Sequence, residues 1–411
     1  MCYTRINAPC GCYAFYLLGE TMRTLRSIGL SFVLLSTATL QATGALPDNN
    51  TLTSRIASIF SGLIQPADPG IAVLVKKDGK IVFERGYGVR DLRSHATIDA
   101  QTNFRLASFT KQFTAMAIML LVHDGKLQYD DHLTDVFSRF PAYGKNITIR
   151  NLLNHTSGLP DYEELMEVQE KHGGPKWRPD HQIQDEDVLA LLEAQSVGRF
   201  APGTRWEYSN SGYVVLGLIV AKISAMPYRE FLQRRIFAPL EMNDTLVYQK
   251  GINVVSARAF GHSKENDKLV ETDQSSTSAT LGDGGIYSTI ADLAKWDEAL
   301  RKHTLVTEAE MAPALTPVKL ADGSHPHRPP DPPATNPGET PAVLYGFGWF
   351  LDPYKGHTRN YHDGDTQGFR TTIQRFVDDQ FTIVVLSNRT DLNPSELSLK
   401  VADLLFEPTV R

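Results

Sequence analysis

The chain has 411 residues, 42% of them hydrophobic, and a formal net charge of −6. Its length suits one large or two ordinary domains, and its composition is that of a soluble globular protein. Mild acidity argues against a nucleic-acid partner. Beyond the N-terminal segment no apolar run is long enough to cross a bilayer.

The N-terminal segment reads as an export signal. Met22-Arg23-Thr24-Leu25-Arg26 is basic, Ile28 to Leu40 is apolar, and Thr43-Gly44-Ala45 offers small residues at a cleavage site. On this reading translation starts at Met22 and residues 1–45 are removed. Residues 46–411 are then a periplasmic or secreted protein with no stable membrane insertion. The competing reading is a genuine extension carrying a membrane anchor. Cys2, Cys10 and Cys12 all lie in the removed part, which excludes disulfides and Cys-ligated metal from the mature chain.

Asn49 to Ile64 shows helical apolar spacing. Ile71 to Val75 and Ile81 to Glu84 flank Lys77-Asp78-Gly79-Lys80, which predicts a β-hairpin with an Asp-Gly turn. Residues 108–123, 148–156, 185–195, 210–225 and 227–237 read as helices joined by Gly, Pro and Asn turns. Residues 321–341 hold seven prolines and read as a surface loop. Thr371 to Phe376 and Phe381 to Leu386 read as strands. Asn393, Pro394 and Glu396 then open a last helix with a capping box. The pattern predicts an α/β (α+β) fold. An antiparallel sheet is closed by two remote segments and flanked by the N- and C-terminal helices, and a mostly helical lobe is inserted. The α/β lobe takes residues 46–130 and 275–411, and the helical lobe residues 131–274.

Three short motifs follow one another: Ser108-Phe109-Thr110-Lys111, Tyr208-Ser209-Asn210 and His362-Asp363-Gly364. Ser108 and Lys111 are three apart and share a helix face. Serine attacks well only when a base takes its proton. A lysine serves as that base in its amine form, which burial at a positive helix N-terminus favours. First-turn N–H groups also point where an oxyanion would form. The competing reading is an N-cap serine and a solvent-facing lysine. It loses ground because Phe109, Phe113 and Met116 make this helix apolar nearly all round. Tyr208, near a cationic lysine, suits proton relay to a leaving group. Asn210 would fix Lys111 or meet a substrate amide. A core tyrosine followed by an asparagine helix cap is the plainer alternative.

His362-Asp363-Gly364 stands before a predicted strand. Gly364 allows close backbone approach to a ligand, and the Asp365 amide is a candidate second oxyanion donor. Lys77-Asp78-Gly79, His123-Asp124-Gly125 and His172-Gly173-Gly174 fit the same pattern in less suitable places. No Gly-x-Ser-x-Gly elbow, His-Glu-x-x-His or phosphate loop is present, and the twelve histidines form no ligand cluster. Neither metal nor cofactor is expected.

With these motifs in this order, the chain resembles the serine β-lactamase and penicillin-binding-protein superfamily, nearest to its class C β-lactamase, D-alanyl-D-alanine carboxypeptidase and esterase branch. Further stretches carry the resemblance: Asn151 to Leu159, Pro202 to Gly217, Gly284 to Thr289 and Tyr345 to Trp349. It implies a β-lactamase/transpeptidase-like fold and an acyl-enzyme on Ser108. It also implies Lys111 as base partner, Tyr208 as general base and acid, Asn210 as a substrate contact, and an oxyanion hole from the Ser108 and Asp365 amides. The third motif departs from the common Lys-Thr-Gly, with His362 for lysine and Asp363 for the hydroxyl residue. Asp363 and Asp365, two apart on a strand, are expected to face a bound substrate together and repel a carboxylate; the competing reading has both in solvent or paired with Arg370 or Arg375, with selectivity unaffected. The expected partner is a small-molecule or peptide substrate. The expected activity is ester, amide or peptide hydrolysis ahead of efficient β-lactam hydrolysis. A catalytically silent binding protein on the same fold is the reading from another class.

Overall fold

A computed structural model of the protein describes residues 51–327 and 341–407. The predicted export signal and most of the Pro-rich loop lie outside the described residues. Five strands build the main sheet among those residues: β1 (Ile71–Lys77), β2 (Lys80–Tyr87), β3 (Arg359–Thr366), β4 (Phe369–Phe376) and β5 (Phe381–Ser387). Their spatial order is β3-β4-β5-β1-β2, antiparallel throughout. The expected closure by remote segments is the β1–β5 pairing, in register from Ile71↔Ser387 to Lys77↔Phe381. The first hairpin turns at Asp78 and Gly79, with φ of 51° and 74°. That left-handed pair matches the twist of its strands.

The helices that place the site are α1 (Leu52–Phe60), α2 (Lys111–His123), α3 (Asn210–Ser224), α4 (Ile290–Lys302) and α5 (Pro394–Phe406). Helix α1 is shorter than its periodicity suggested, because Gly62 turns the chain at φ 82°. At α5, Asn393 accepts from the Glu396 N–H as expected, but the Glu396 carboxylate pairs with Lys400 at 2.8 Å.

Alternation along β1 and β5 divides the interior into two cores. Ile71, Val73, Val75, Ile383 and Val385 pack under α1 and α5, against Ile56, Phe60, Leu397 and Val401. Ala72, Leu74, Val384 and Leu386 face the larger core built around α2 and α3. Strands buried on both faces read as continuous apolar runs, as these do.

Helix α2 is buried nearly all round. Phe113 packs on Trp296 of α4 with ring centroids 4.4 Å apart, and the Trp296 indole N–H donates to Gln112 at 3.1 Å. Truncating such a phenylalanine costs about 3–5 kcal/mol, so the position of α2 is firmly set. Segment 131–274 also holds short strands that no alternation disclosed. Leu246–Val247 joins Phe104–Arg105 on either side of Ile286–Ser288, and His262–Glu265 pairs with Lys268–Glu271. No single helix among the described residues is long and apolar enough to cross a membrane.

Candidate active site

Ser108 lies in a 3-10 turn, Ala107–Thr110, that runs directly into α2, so Lys111 is the first α-helical residue. Residues three apart eclipse in a 3-10 turn, which brings the two side chains together more closely than an α-turn would. Ala107 before it has φ 51°, a left-handed backbone for a residue with a Cβ. The turn is clamped on both sides. Leu106 N–H donates to Ile286 O at 2.8 Å, and Thr371 Oγ1 of β4 donates to Leu106 O at 2.8 Å.

Lys111 is fully buried. Its Nζ lies 3.1 Å from Ser108 Oγ, 2.9 Å from Asn210 Oδ1 and 3.0 Å from Asp283 O. The three acceptors come from three remote stretches of chain and hold the amine at one point. Asn210 is the first residue of α3. Ser209 caps that helix, accepting from Gly212 N–H at 3.1 Å, which frees the Asn210 side chain for Lys111. The Asp283 carboxylate is buried behind Lys111. One oxygen accepts from Tyr162 OH at 3.3 Å, and the other has no partner among the described residues.

Tyr208 is half-buried at the mouth of this centre, with its ring centroid 5.0 Å from Lys111 Nζ. The ring rests on an aromatic wall. His155 is 4.5 Å from Tyr208 and 4.6 Å from Tyr345 between centroids, and Trp206 closes the far side. His155 Nδ1 accepts from Ser209 N–H at 3.1 Å. Burial, and then the nearby Lys111 charge, push its pKa well below the usual imidazole range, so the ring is neutral.

The third motif lies within a strand, where the sequence placed it just ahead of one. His362, Asp363, Gly364 and Asp365 all belong to β3, the sheet edge that packs against the Ser108 turn. His362 is buried, and burial together with Lys111 lowers its pKa to about 3. Its Nδ1–H donates to Asp363 O at 2.7 Å, and Nε2 accepts from Tyr345 OH at 3.2 Å. Gly364 faces the turn so closely that a Cβ there would lie 2.1 Å from Leu106 O. The Tyr361 N–H and C=O bond Phe350, away from β4. Main-chain groups alternate along an edge strand, so the Asp365 N–H also points away from β4, on the side of the Ser108 turn.

The two aspartates do not face a bound substrate as expected. His362 and Gly364 take the site face, which leaves Asp363 and Asp365 on the opposite one. Asp363 Oδ1 accepts from Thr372 Oγ1 at 2.6 Å, and burial raises its pKa. Asp365 pairs with Arg370 at 2.7 Å. The expected repulsion of a substrate carboxylate therefore has no source in these two side chains. Among the described residues, no three His, Cys, Asp or Glu side chains gather as a metal site.

The beta-lactamase family profile matches residues 56–406. The chain belongs to this family. A penicillin-binding protein of Bacillus subtilis (strain 168) is 33% identical over 350 residues, which is 81% of this chain and 72% of that one. Two solved structures share the fold of this beta-lactamase family member. One is the octameric penicillin-binding protein homologue of Pyrococcus abyssi, with TM-score 0.70 and 26% identity over 87% of this chain and 77% of that one. The other is the D-amino acid amidase of Ochrobactrum anthropi complexed with L-phenylalanine amide, with TM-score 0.70 and 25% identity over 86% and 98%. Family membership and an antiparallel α/β fold agree with the reading of the sequence. Asp283, His155 and Tyr345 went unremarked as site residues. His155 and Tyr345 stood in stretches that carried the resemblance, and Asp283 stood between two glycines, but spacing alone did not bring any of them beside Ser108.

Proposed function

We propose that this beta-lactamase family protein is an exported serine hydrolase, periplasmic or secreted, that forms an acyl-enzyme on Ser108 and cleaves an ester, amide or peptide bond. The observation that carries the reading is Lys111 Nζ, buried and 3.1 Å from Ser108 Oγ.

In the proposed cycle, Lys111 as the amine accepts the Ser108 hydroxyl proton while Oγ bonds to the substrate carbonyl carbon. The carbonyl oxygen takes the negative charge between the Ser108 and Asp365 N–H groups. The tetrahedral intermediate collapses, and the bond to the leaving nitrogen or oxygen breaks. Tyr208, its ring beside Lys111, hands that atom a proton and takes the Ser108 proton in turn from Lys111, which returns to the amine. Water then attacks the acyl carbon by the same route, releasing the acid and restoring Ser108 Oγ–H. Asn210 holds Lys111 and meets the substrate amide. His362 and Gly364 form the wall along which substrate lies.

The fit to a D-amino acid amidase favours small amides and amine-bearing peptides ahead of penicillins. The carboxypeptidase and class C branch remains the nearest alternative reading of the same centre. The test is turnover by the purified protein on p-nitrophenyl esters, D-amino acid amides, nitrocefin and D-Ala-D-Ala peptides, with fluorophosphonate labelling of wild type and Ser108→Ala. Hydrolysis and labelling that both vanish in Ser108→Ala support the proposal. A folded wild type that takes no label and turns over no substrate refutes it.

A further inference from the structure

The sheet and α4 line a half-open cavity of about 160 Å³ that none of the three motifs lines. Its apolar side is Leu300, Met311 and Leu315. Its polar wall includes Lys76, Asp297 and Thr382 beside Asn360 and Arg375, cross-strand partners on β3 and β4 that are 6% and 8% exposed. Arg375 is fixed by Asp297, which accepts from its Nε at 2.9 Å, and by the Trp349 ring, 5.9 Å from its Cζ. Its Nη1 and Nη2 donate to no acceptor among the described residues, and neither does the Asn360 amide.

The charge around this cavity is unbalanced. Lys76, 4% exposed, puts its Nζ 2.8 Å from Asp297 Oδ2, 3.0 Å from Ala294 O and 3.4 Å from Glu298 Oε2. Glu298 also serves Arg301 and Lys302. Four cations therefore share two carboxylates. A guanidinium with two free parallel donors is the planar fork that binds a carboxylate bidentately. An anion there would satisfy those donors and reduce the excess of positive charge. The apolar side asks for a hydrocarbon body on the same ligand. An engineered apolar cavity of about 150 Å³ accepts benzene, so one ring or a short chain fits.

We propose that this cavity is a binding site for a small apolar carboxylate, an aryl or short-chain acid, with its carboxylate on Arg375 and Asn360. Benzoate titrated calorimetrically into the full-length protein is the probe, with benzyl alcohol and inorganic phosphate as the neutral and purely anionic comparisons. The expected result is saturable benzoate binding in the low millimolar range, as a few partly desolvated contacts provide. Asn360→Leu and Arg375→Lys are each expected to weaken it about tenfold or more. Arg375→Lys disturbs a buried ion pair, so its fold is checked by circular dichroism; if it unfolds, Asn360→Leu decides alone. No saturation by about 20 mM benzoate, unchanged affinity in Asn360→Leu, or equal binding of benzyl alcohol or phosphate would each overturn the proposal.

Discussion

Adding one methyl group to β3 tests the arrangement of the centre most directly. In Gly364→Ala the new Cβ would lie 2.1 Å from Leu106 O and 2.2 Å from Thr371 Oγ1. Carbon–oxygen contacts that close are strongly repulsive, so something must yield by about 1 Å. Neither obstacle is a free side-chain end. Leu106 O is main chain, and Thr371 Oγ1 is itself bonded to it at 2.8 Å. Leu106 precedes Ser108 by two residues, and Gly364 adjoins Asp365. The displacement therefore falls on the separation of the two proposed oxyanion amides. A 1 Å misplacement costs about 10²-fold, and loss of one oxyanion donor about 10²–10³-fold. The expected kcat/KM of Gly364→Ala on a neutral p-nitrophenyl ester is lower by that factor, with about 1–3 kcal/mol lost in urea unfolding from overpacking. Gly284→Ala is the control. Its Cβ would come no nearer than 3.7 Å to the Ala107 backbone beside the same turn, and wild-type rates are expected. The reasoning fails if Gly364→Ala keeps more than about a third of wild-type kcat/KM, or if Gly284→Ala falls as far.

Three further outcomes follow from the same contacts. Lys111→Ala and Tyr208→Phe are each expected to be severely impaired, and the double variant little worse than either, because groups sharing one proton transfer are not additive; additive losses in single-turnover acylation would show independent roles. His362 has a folded pKa of about 3 against about 6.5 unfolded, so the unfolded state binds the extra proton between those values and its stabilising effect, complete above the upper one, is lost as pH falls. The loss is about 2 kcal/mol by pH 5. Raised carboxyls such as Asp185 act in the opposite sense, so the measurement is the difference between wild type and His362→Asn across pH 4.5–7 (approximately the window of the shift), and parallel curves would contradict the assignment. Asp363→Thr is expected to leave the ratio of kcat/KM on nitrocefin and on a neutral ester unchanged, since the carboxylate faces away from Ser108; a selective gain of about tenfold on nitrocefin would show that it acts on bound substrate.

What was legible in the sequence was whatever local pattern determines. The Asp78-Gly79 turn, the apolar runs of β1 and β5, and the all-round apolar faces of α2 and α3 each carry their own signal. They fixed the sheet, its closure and the burial of Lys111. The short strands at Phe104, Leu246 and Ile286 carry no such signal, because two or three residues are too few for alternation to show. They matter nonetheless: the Ile286 carbonyl holds the Leu106 N–H. Asp283 was hidden for a related reason. Its contact with Lys111 is made by a carbonyl oxygen that every residue has, so no side-chain pattern announces it.

Of the two readings of β3, the structure bears out the one that turns both aspartates away from the site, and strand parity explains it. Residues two apart do share a face, so Asp363 and Asp365 were correctly grouped, but the choice between the two faces depends on the neighbours. Gly364 decides it, because only a residue without a Cβ fits against Leu106 O. Once Gly364 points inward, both aspartates must point outward, where Thr372 and Arg370 receive them. On the proposed mechanism, the chemical contribution of this edge is a main-chain N–H, which the side chain at 365 does not alter. Selection among substrates then arises, on the same mechanism, on the walls near Ser108: Tyr208 and Asn210 on the helical side, with the buried His362 beside Tyr208 on the strand. Of these, Asn210 engages Lys111 through Oδ1 and keeps its Nδ2 for substrate, while His362 is held by Tyr345. The Tyr208 hydroxyl, on a ring that rests on His155, and the Asn210 amide are therefore the side-chain groups left to meet what binds.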